Sequence, residues 1–241
     1  MKKVFKIKII SLFPESFPGV LGIGVIGRAL KNKIWSLVIF NPRDHAKGIH
    51  KSVDDTTAGG GPGMILKPDI IGKSVVEAIK GIKFKNKYSF INLTPSGKPL
   101  DQKMIKKFSK KDGLVILCGR YEGIDQRVSD YYNFEEYSLG DFILAGGEVA
   151  AQSLVEATVR LLPGTLGAKE SLQEESFTKG LLEFPQYTRP RAWKSLNIPN
   201  ELQSGNHQLI ADWRLDKSLK LTKKNRPDLW KKYKKSKTIK K

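Results

Sequence analysis

Three short glycine-containing segments hold most of the residues that could form a ligand site. They are Leu93–Gly97 (LTPSG), Leu117–Gly123 (LCGRYEG) and Leu139–Gly147 (LGDFILAGG). The first two follow predicted strands, and the third lies where another strand end would fit. In open α/β sheets, ligands bind outside the carboxyl ends of the strands. We therefore predict that the three loops wrap one ligand.

The charges in these loops restrict the chemistry of the ligand. A phosphate-bearing ligand requires Lys, Arg or helix N-terminal amides, and only Arg120 and Lys98 are available here. The segment Tyr137–Glu148 has no Lys or Arg and carries two acids, Asp141 and Glu148. S-adenosylmethionine fits such a site better, because it has no phosphate and its sulfonium and ammonium groups are positive.

Alternating strand and helix patterns predict the elements that would position these loops. The predicted strands are Val4–Ser11, Trp35–Phe40, Tyr88–Leu93 and Leu114–Cys118. The predicted helices are Val25–Lys33, Asp69–Ile79, Asp101–Ser109, Ile124–Asp130 and Glu148–Leu162. A long loop is predicted from Pro42 through Gly63. This βαβ alternation indicates an α/β fold with a mainly parallel sheet and helices on both faces.

Composition indicates a globular protein with a polyanionic partner. The chain has 241 residues, 43 Lys+Arg against 24 Asp+Glu, and a formal net charge of +19. A charge of this size favours nucleic acid first and an acidic membrane surface second. No run of about 18 apolar residues predicts a membrane span. The one cysteine, Cys118, excludes an intrachain disulfide, fits a reducing cytosol, and is interpreted as a small buried hydrophobe.

The chain changes character at Pro163, and we predict three regions. Residues 1–163 form the ligand-binding α/β domain, and residues 164–199 form an interdomain linker with few strand signals. Residues 200–241 form a small, basic, helical C-terminal domain. The last eleven residues (KKYKKSKTIKK) contain seven lysines and no acid, which predicts a disordered tail that attracts a polyanion.

Other motifs carry weaker signals. Gly22–Gly27 matches GxGxxG, but Pro14 and Pro18 separate it from the preceding strand, so a turn leading into a helix is favoured over dinucleotide binding. The cluster Ala58–Gly63 is either a flexible loop near a substrate or an exposed linker. The three histidines are scattered and form no zinc pattern, so no metal ligands are assigned.

The sequence resembles the bacterial tRNA (guanine-N1)-methyltransferases, the TrmD family. The matching segments are IISLFPE (9–15), VDD…GGGPGM (53–64), LCGRYEGID (117–125), SLGDFILAGGE (138–148), LPGTLG (162–167), ESFTKGLL (175–182), FPQYTRP (184–190), LQSGNH (202–207) and WRL (213–215). They run in family order across almost the whole chain.

The resemblance implies a fold of the SPOUT class, with a deep trefoil knot at the S-adenosylmethionine site. It implies a cytoplasmic homodimer with active sites at the subunit interface. It also implies methylation of guanine N1 at tRNA position 37, when another G precedes it, with assistance from Mg²⁺.

The resemblance also assigns residues. The implied cofactor contacts are Leu93, Thr94, Pro95, Gly119, Glu122, Leu139, Gly140, Asp141, Phe142, Ile143, Leu144 and Gly146. Arg160 matches the family's arginine near the reacting guanine. The family has an aspartate before Ser-Phe as the general base, and this chain has Glu175 there. Glu174 is the alternative base.

Two other functions stay open from the residues alone. A non-catalytic RNA-binding protein would carry the same charge, but it would not need three glycine loops at strand ends. A nicotinamide-dependent oxidoreductase would use Gly22–Gly27. Cofactor binding discriminates, because the oxidoreductase would bind a dinucleotide and a methyltransferase would bind S-adenosylmethionine.

Overall fold

A computed structural model describes residues 3–167 and 175–238 of the chain. Residue contacts divide it into two compact units, Met1–Gly167 and Ala168–Lys241. This division lies close to the predicted end of the ligand-binding domain at residue 163. The predicted three-region scheme, with a separate linker at 164–199, stays a prediction.

A five-stranded sheet forms the centre of the first unit. Its strands are β1 (Phe5–Ile10), β2 (Trp35–Phe40), β5 (Tyr88–Pro99), β6 (Gly113–Cys118) and β7 (Glu135–Ser138). The order across the sheet is β2-β1-β6-β5-β7, and each neighbouring pair is parallel. Strand β6 is buried along its whole length, as expected for a strand in the middle of a parallel sheet.

Helices cover both faces of the sheet. They are α1 (Gly24–Lys31), α2 (Pro68–Ile79), α3 (Gln102–Phe108), α4 (Gln126–Tyr132) and α5 (Gly147–Val159). One apolar core joins the sheet to α1, α3 and α5, and the second joins it to α2 and α4. The predicted α/β class, the parallel sheet and the two helical layers are therefore confirmed.

The long loop predicted from Pro42 through Gly63 is wrong in part. A 3-10 helix spans Pro42–His45, and an antiparallel hairpin follows, made of β3 (Asp54–Thr56) and β4 (Met64–Leu66). The strands are only three residues long, too short for a clear alternation. The four glycines and one proline of the connecting segment further obscured the strand pattern.

The second unit contains a small hairpin and two helices among its described residues. The elements are β8 (Ala192–Trp193), β9 (Leu196–Asn197), α6 (His207–Asn225) and α7 (Pro227–Thr238). Leu181, Trp213 and Thr222 are buried within this unit. None of the described helices in either unit is long and apolar enough to cross a membrane.

The structure differs from the sequence prediction at the lysine-rich end. Helix α7 continues through Thr238, whereas disorder was predicted from Lys231. The Trp230 and Tyr233 rings stack with centroids 5.9 Å apart, and Arg226 pairs with Asp228 at the start of the helix. These local contacts favour helix over coil. Residues 239–241 lie outside the described residues.

The substitution Gly97→Ala tests how closely β5 and β7 approach each other. A Cβ on Gly97 would lie 2.4 Å from the backbone N of Tyr137, so Gly97→Ala must push β7 away from β5. We expect a loss of about 2 kcal/mol in the free energy of unfolding, measured by urea denaturation.

Gly72→Ala is the matched control. A Cβ there would meet the Tyr132 side chain at 3.6 Å, an ordinary contact, and Gly72 lies inside α2. This variant should gain about 0.5–1 kcal/mol, because alanine favours the helix. Equal effects of both substitutions would contradict the close approach at Gly97.

Candidate functional site

The three predicted loops meet at one end of the sheet. The C-terminal half of β5, the segment after β6 and the segment between β7 and α5 line a cavity of about 490 Å³, a size typical of small-molecule sites. The sequence therefore correctly predicted which segments come together.

Eleven of the twelve predicted cofactor residues line this cavity. They are Leu93, Thr94, Pro95, Gly119, Glu122, Leu139, Gly140, Phe142, Ile143, Leu144 and Gly146. The twelfth, Asp141, is exposed and lies outside the described lining. Lining a cavity is not the same as binding, so the cofactor roles stay predictions.

Close backbone approaches explain why glycine occupies the cavity wall. The N–H of Gly147 donates to the carbonyl of Gly119 at 2.9 Å, which joins the start of α5 to the end of β6. A Cβ on Gly147 would lie 2.7 Å from Cα of Cys118, and one on Gly146 would lie 2.2 Å from Nε of Arg120. A larger residue at either position would separate two of the three loops.

A buried ion pair lies behind this wall. Nη2 of Arg120 is 2.8 Å from Oε2 of Glu148, which is 3% exposed. Although the two atoms are close, their angle does not make a hydrogen bond, so the attraction is chiefly electrostatic. The hydroxyl of Ser11 donates to the other carboxylate oxygen of Glu148 at 2.7 Å.

Arg120 is further fixed on its other sides. Its Nη1 donates to the carbonyl of Ala145 at 3.2 Å, and its guanidinium lies 4.3 Å from the ring centroid of Phe13. The ion pair and these contacts neutralise and immobilise the charge. Sequence reasoning missed this cluster, because Ser11 and Glu148 are 137 residues apart and no local spacing links them.

The lining is acidic once this pairing is counted. Glu122 and Glu136 line the cavity, and Arg120 is the one Lys or Arg side chain among the described lining residues. Asn92 and Gln126 each donate a side-chain N–H to Oε1 of Glu136 at 3.3 Å. The cavity therefore suits a ligand with positive charge better than one with phosphate.

Two other titratable groups near the cavity stay protonated at neutral pH. Burial raises the pKa of the Tyr137 hydroxyl, and its hydrogen bond to Glu135 raises the pKa further. Burial also raises the pKa of the Cys118 thiol well above its usual value, and Glu148 adds to the effect. A buried, neutral thiol agrees with the interpretation of Cys118 as a small hydrophobe.

The hairpin missed by the sequence prediction adjoins the cavity. The N–H of Glu122 donates to the carbonyl of Met64 at 2.9 Å, and the N–H of Leu66 donates to that of Gly123 at 3.1 Å. A Cβ on Gly63 would lie 2.6 Å from Cγ of Glu122. The glycine cluster at 58–63 is thus the turn of a hairpin held against the Glu122 loop.

The Gly22–Gly27 motif does not have the geometry of a dinucleotide site. A 3-10 helix at Pro14–Ser16 and another at Gly19–Gly22 separate β1 from α1, so no strand leads directly into the glycines. A Cβ on Gly27 would meet the carbonyl of Gly22 at 2.1 Å. Gly27 therefore permits α1 to pack on the preceding turn, in agreement with the favoured interpretation of a turn leading into a helix.

The two predicted catalytic residues lie in different units. Arg160 follows the last residue of α5 in the first unit, where its N–H donates to the carbonyl of Glu156 at 3.1 Å. Glu175 begins a turn in the second unit, in which its carbonyl accepts from the N–H of Thr178 at 3.2 Å. The alternative base, Glu174, lies outside the described residues.

Helix α6 anchors the turn that carries Glu175. The N–H of Phe177 donates to the carbonyl of Leu181 at 2.8 Å, and the N–H of Leu182 donates to Oγ1 of Thr222 at 2.8 Å. The guanidinium of Arg226 lies 5.9 Å from the Phe177 ring centroid. Sequence reasoning did not identify Thr222, because nothing in its neighbourhood distinguishes it from other helix positions.

Comparison with known proteins gives consistent matches along the chain. The family model described as "tRNA (Guanine-1)-methyltransferase TrmD" matches residues 5–232. A relative from Ruegeria sp. (strain TM1040), named tRNA (guanine-N(1)-)-methyltransferase, is 52% identical over 98% of this chain and 96% of its own length. A relative of the same name from Pelagibacter ubique (strain HTCC1062) is 47% identical over 97% of this chain and 100% of its own.

Glu148→Gln tests the buried ion pair. Glutamine keeps an acceptor for Ser11 but leaves the charge of Arg120 without its partner. We expect a loss of roughly 2–3 kcal/mol in the free energy of unfolding, less than for a fully buried pair, because the Arg120 side chain remains 24% exposed. An unchanged urea midpoint would show that the pair contributes nothing to stability.

Proposed function

Because the chain belongs to the tRNA (guanine-1)-methyltransferase TrmD family, we propose that it transfers a methyl group from S-adenosylmethionine to N1 of guanine at position 37 of tRNA. The observation that carries this proposal is the acidic cavity at the carboxyl ends of the strands, in which Arg120 is already paired with Glu148. Such a lining suits a cationic methyl donor.

The described cavity residues fit S-adenosylmethionine in size, polarity and charge. Leu93, Leu139 and Ala150 supply apolar wall, the loop glycines let the backbone approach the ligand, and Glu122 and Glu136 supply negative charge. The residues that would hold it are the eleven predicted cofactor residues that line the cavity. When bound, the donor supplies an electrophilic methyl group on a positively charged sulfur.

Glu175 is the proposed general base. N1 of guanine carries a proton at neutral pH and is a poor nucleophile until that proton leaves. A carboxylate positioned beside N1 would accept it as the new N–C bond forms. The hydrogen bonds of the turn to Thr222 and within 177–181 give the base a fixed backbone, which supports the alignment that proton transfer requires.

Arg160 is the proposed partner for the charge that develops on guanine. Loss of the N1 proton shifts negative charge toward O6, and a guanidinium is a strong donor to such an oxygen. The guanine must leave its stack in the RNA to reach a cavity of this kind.

No step of the proposed mechanism is assigned to Mg²⁺. The described residues contain no group of three or more His, Cys, Asp and Glu side chains that could hold a metal ion. Its assistance of the reaction, which the family resemblance implies, stays a prediction from that resemblance.

We further propose a cytoplasmic homodimer and a trefoil knot in the loops around the cavity. Exposed apolar side chains on the first unit support the dimer, including Val20, Ile23 and Val149, each more than half exposed. The close approach of Gly97 to Tyr137 and of Gly147 to Cys118 supports a tight crossing of these segments.

The reaction is tested with two tRNA transcripts that differ only by G or A at position 37, with another G before it. With labelled S-adenosylmethionine and Mg²⁺, we expect label on the G transcript alone. Label on neither transcript, with the methyl donor still bound, would instead favour a non-catalytic RNA-binding protein.

Glu175→Gln tests the general base. Glutamine has nearly the same shape but cannot accept the N1 proton at neutral pH, so kcat should fall by about 10²–10⁴-fold, while the Kd values for S-adenosylmethionine and tRNA stay unchanged. Glu174→Gln is the matched control and should retain most activity. The opposite ranking of the two variants would assign the base to Glu174.

A further inference from the structure

The hairpin formed by β8 and β9 presents an indole ring to solvent. Trp193 is 60% exposed and Leu196, its directly opposite partner in the register, is 66% exposed. Directly opposite residues of two paired strands share one face. Two large apolar side chains therefore lie side by side on the surface of the second unit.

This exposure is unusual for tryptophan in this chain. Trp35 is fully buried with its Nε1 donating to the carbonyl of Ile26, and Trp213 is 7% exposed. Burying an aromatic ring normally stabilises a fold, so an exposed indole on an ordered element has no such role here. An exposed apolar pair of this kind is typical of a binding surface.

The hairpin is an ordered element and not a loose loop. The N–H of Ile198 donates to the carbonyl of Arg191 at 3.0 Å, which closes the base of the hairpin. The side chain of Gln203 then donates to the carbonyl of Ile198 at 2.7 Å. These hydrogen bonds fix the backbone that carries the Trp193 ring, which lowers the conformational entropy lost on binding.

The positive charge around Trp193 favours a polyanionic partner. Residues 184–200 include Arg189, Arg191 and Lys194 and no acidic side chain, and residues 185–197 are all exposed. The Nζ of Lys194 lies 4.8 Å from the Trp193 ring centroid. An aromatic ring flanked by cations is the arrangement with which proteins stack unpaired bases while attracting the phosphate backbone.

We propose that the 191–198 hairpin is an RNA-contact element in which Trp193 stacks on an unpaired base of the tRNA and Lys194 contacts the adjoining phosphate. This inference rests on the proposed function for the identity of the RNA. Bases inside a duplex have covered faces, so the ring selects a nucleotide that the tRNA leaves unpaired. The role is recognition, without a part in the chemical step.

The test compares Trp193→Ala with a matched control, Phe84→Ala. Phe84 is also 60% exposed and has Lys87 Nζ 4.8 Å from its ring centroid, but it lies in the first unit. Loss of one stacked base should raise the Kd for tRNA between about 5-fold and about 150-fold in Trp193→Ala. Phe84→Ala should leave it unchanged, and Trp193→Phe should keep most of the affinity.

The dependence of the tRNA Kd on salt concentration distinguishes the contribution of the Trp193 ring from that of the Lys194 charge. Lys194→Gln should lower the slope of log Kd against log salt by about 1, because one phosphate contact is lost. Trp193→Ala should weaken binding with the slope unchanged. At saturating tRNA, kcat of Trp193→Ala should equal that of the wild-type chain, which a distorted active site would not allow.

Three results would overturn the inference: equal Kd values for Trp193→Ala and wild type, equal losses in Trp193→Phe and Trp193→Ala, or a change of molar mass in light scattering. The last would assign the hairpin to contact between two copies of the chain. If the wild-type chain binds tRNA through Trp193 but transfers no methyl group, the hairpin inference stands and the proposed function fails. If it methylates tRNA and Trp193→Ala binds normally, the reverse holds.

Discussion

The architecture of the cavity depends on the pairing of Arg120 with Glu148. Glu148 is the second residue of α5, Arg120 follows β6, and Ser11, which donates to the same carboxylate, follows β1. Three segments distant in sequence are thus joined at one buried charge. Removing either partner would leave the other as an uncompensated charge in a poorly solvated place, which costs far more than an exposed pair contributes. The same pairing removes a positive charge from a cavity that would otherwise repel a cation.

The two units divide the electrostatic requirements of the proposed reaction. A cavity for a cationic donor needs negative charge, and Glu122 and Glu136 supply it in the first unit. A polyanionic RNA needs positive charge, which the lysine-rich helices α6 and α7 supply in the second. If the net charge of +19 were spread evenly, the donor cavity would lose affinity. Local pairing of Arg120 with Glu148 would allow one chain to bind both proposed ligands.

The sequence was informative where the structural signal is local. Periodicity identified four of the five strands of the sheet but not the four-residue β7. Glycine-rich segments identified the cavity, because both signals depend on residues near each other in the chain. The Arg120–Glu148–Ser11 cluster and the support of Phe177 and Leu182 from α6 depend on contacts across long sequence separations. The β3–β4 hairpin was missed for another reason: its strands are too short to show a period. Asp141 shows that a motif residue between cavity-lining residues can itself lie outside the lining.

The glutamate at position 175 has consequences that follow from how its turn is held. Glutamate is longer than aspartate by one methylene, which extends the reach of the carboxylate by about an ångström, enough to alter alignment in a proton transfer. The turn cannot easily retreat to compensate, because Leu182 is bonded to Thr222 and Phe177 to Leu181. The extra length must therefore be absorbed by the side chain itself. A glutamate side chain has more rotamer freedom than an aspartate. If Glu175 is the base, as proposed, packing around the guanine would have to select its productive rotamer. With Glu175 as the proposed base, glutamate in place of aspartate would affect the chemical step more than the binding of either substrate.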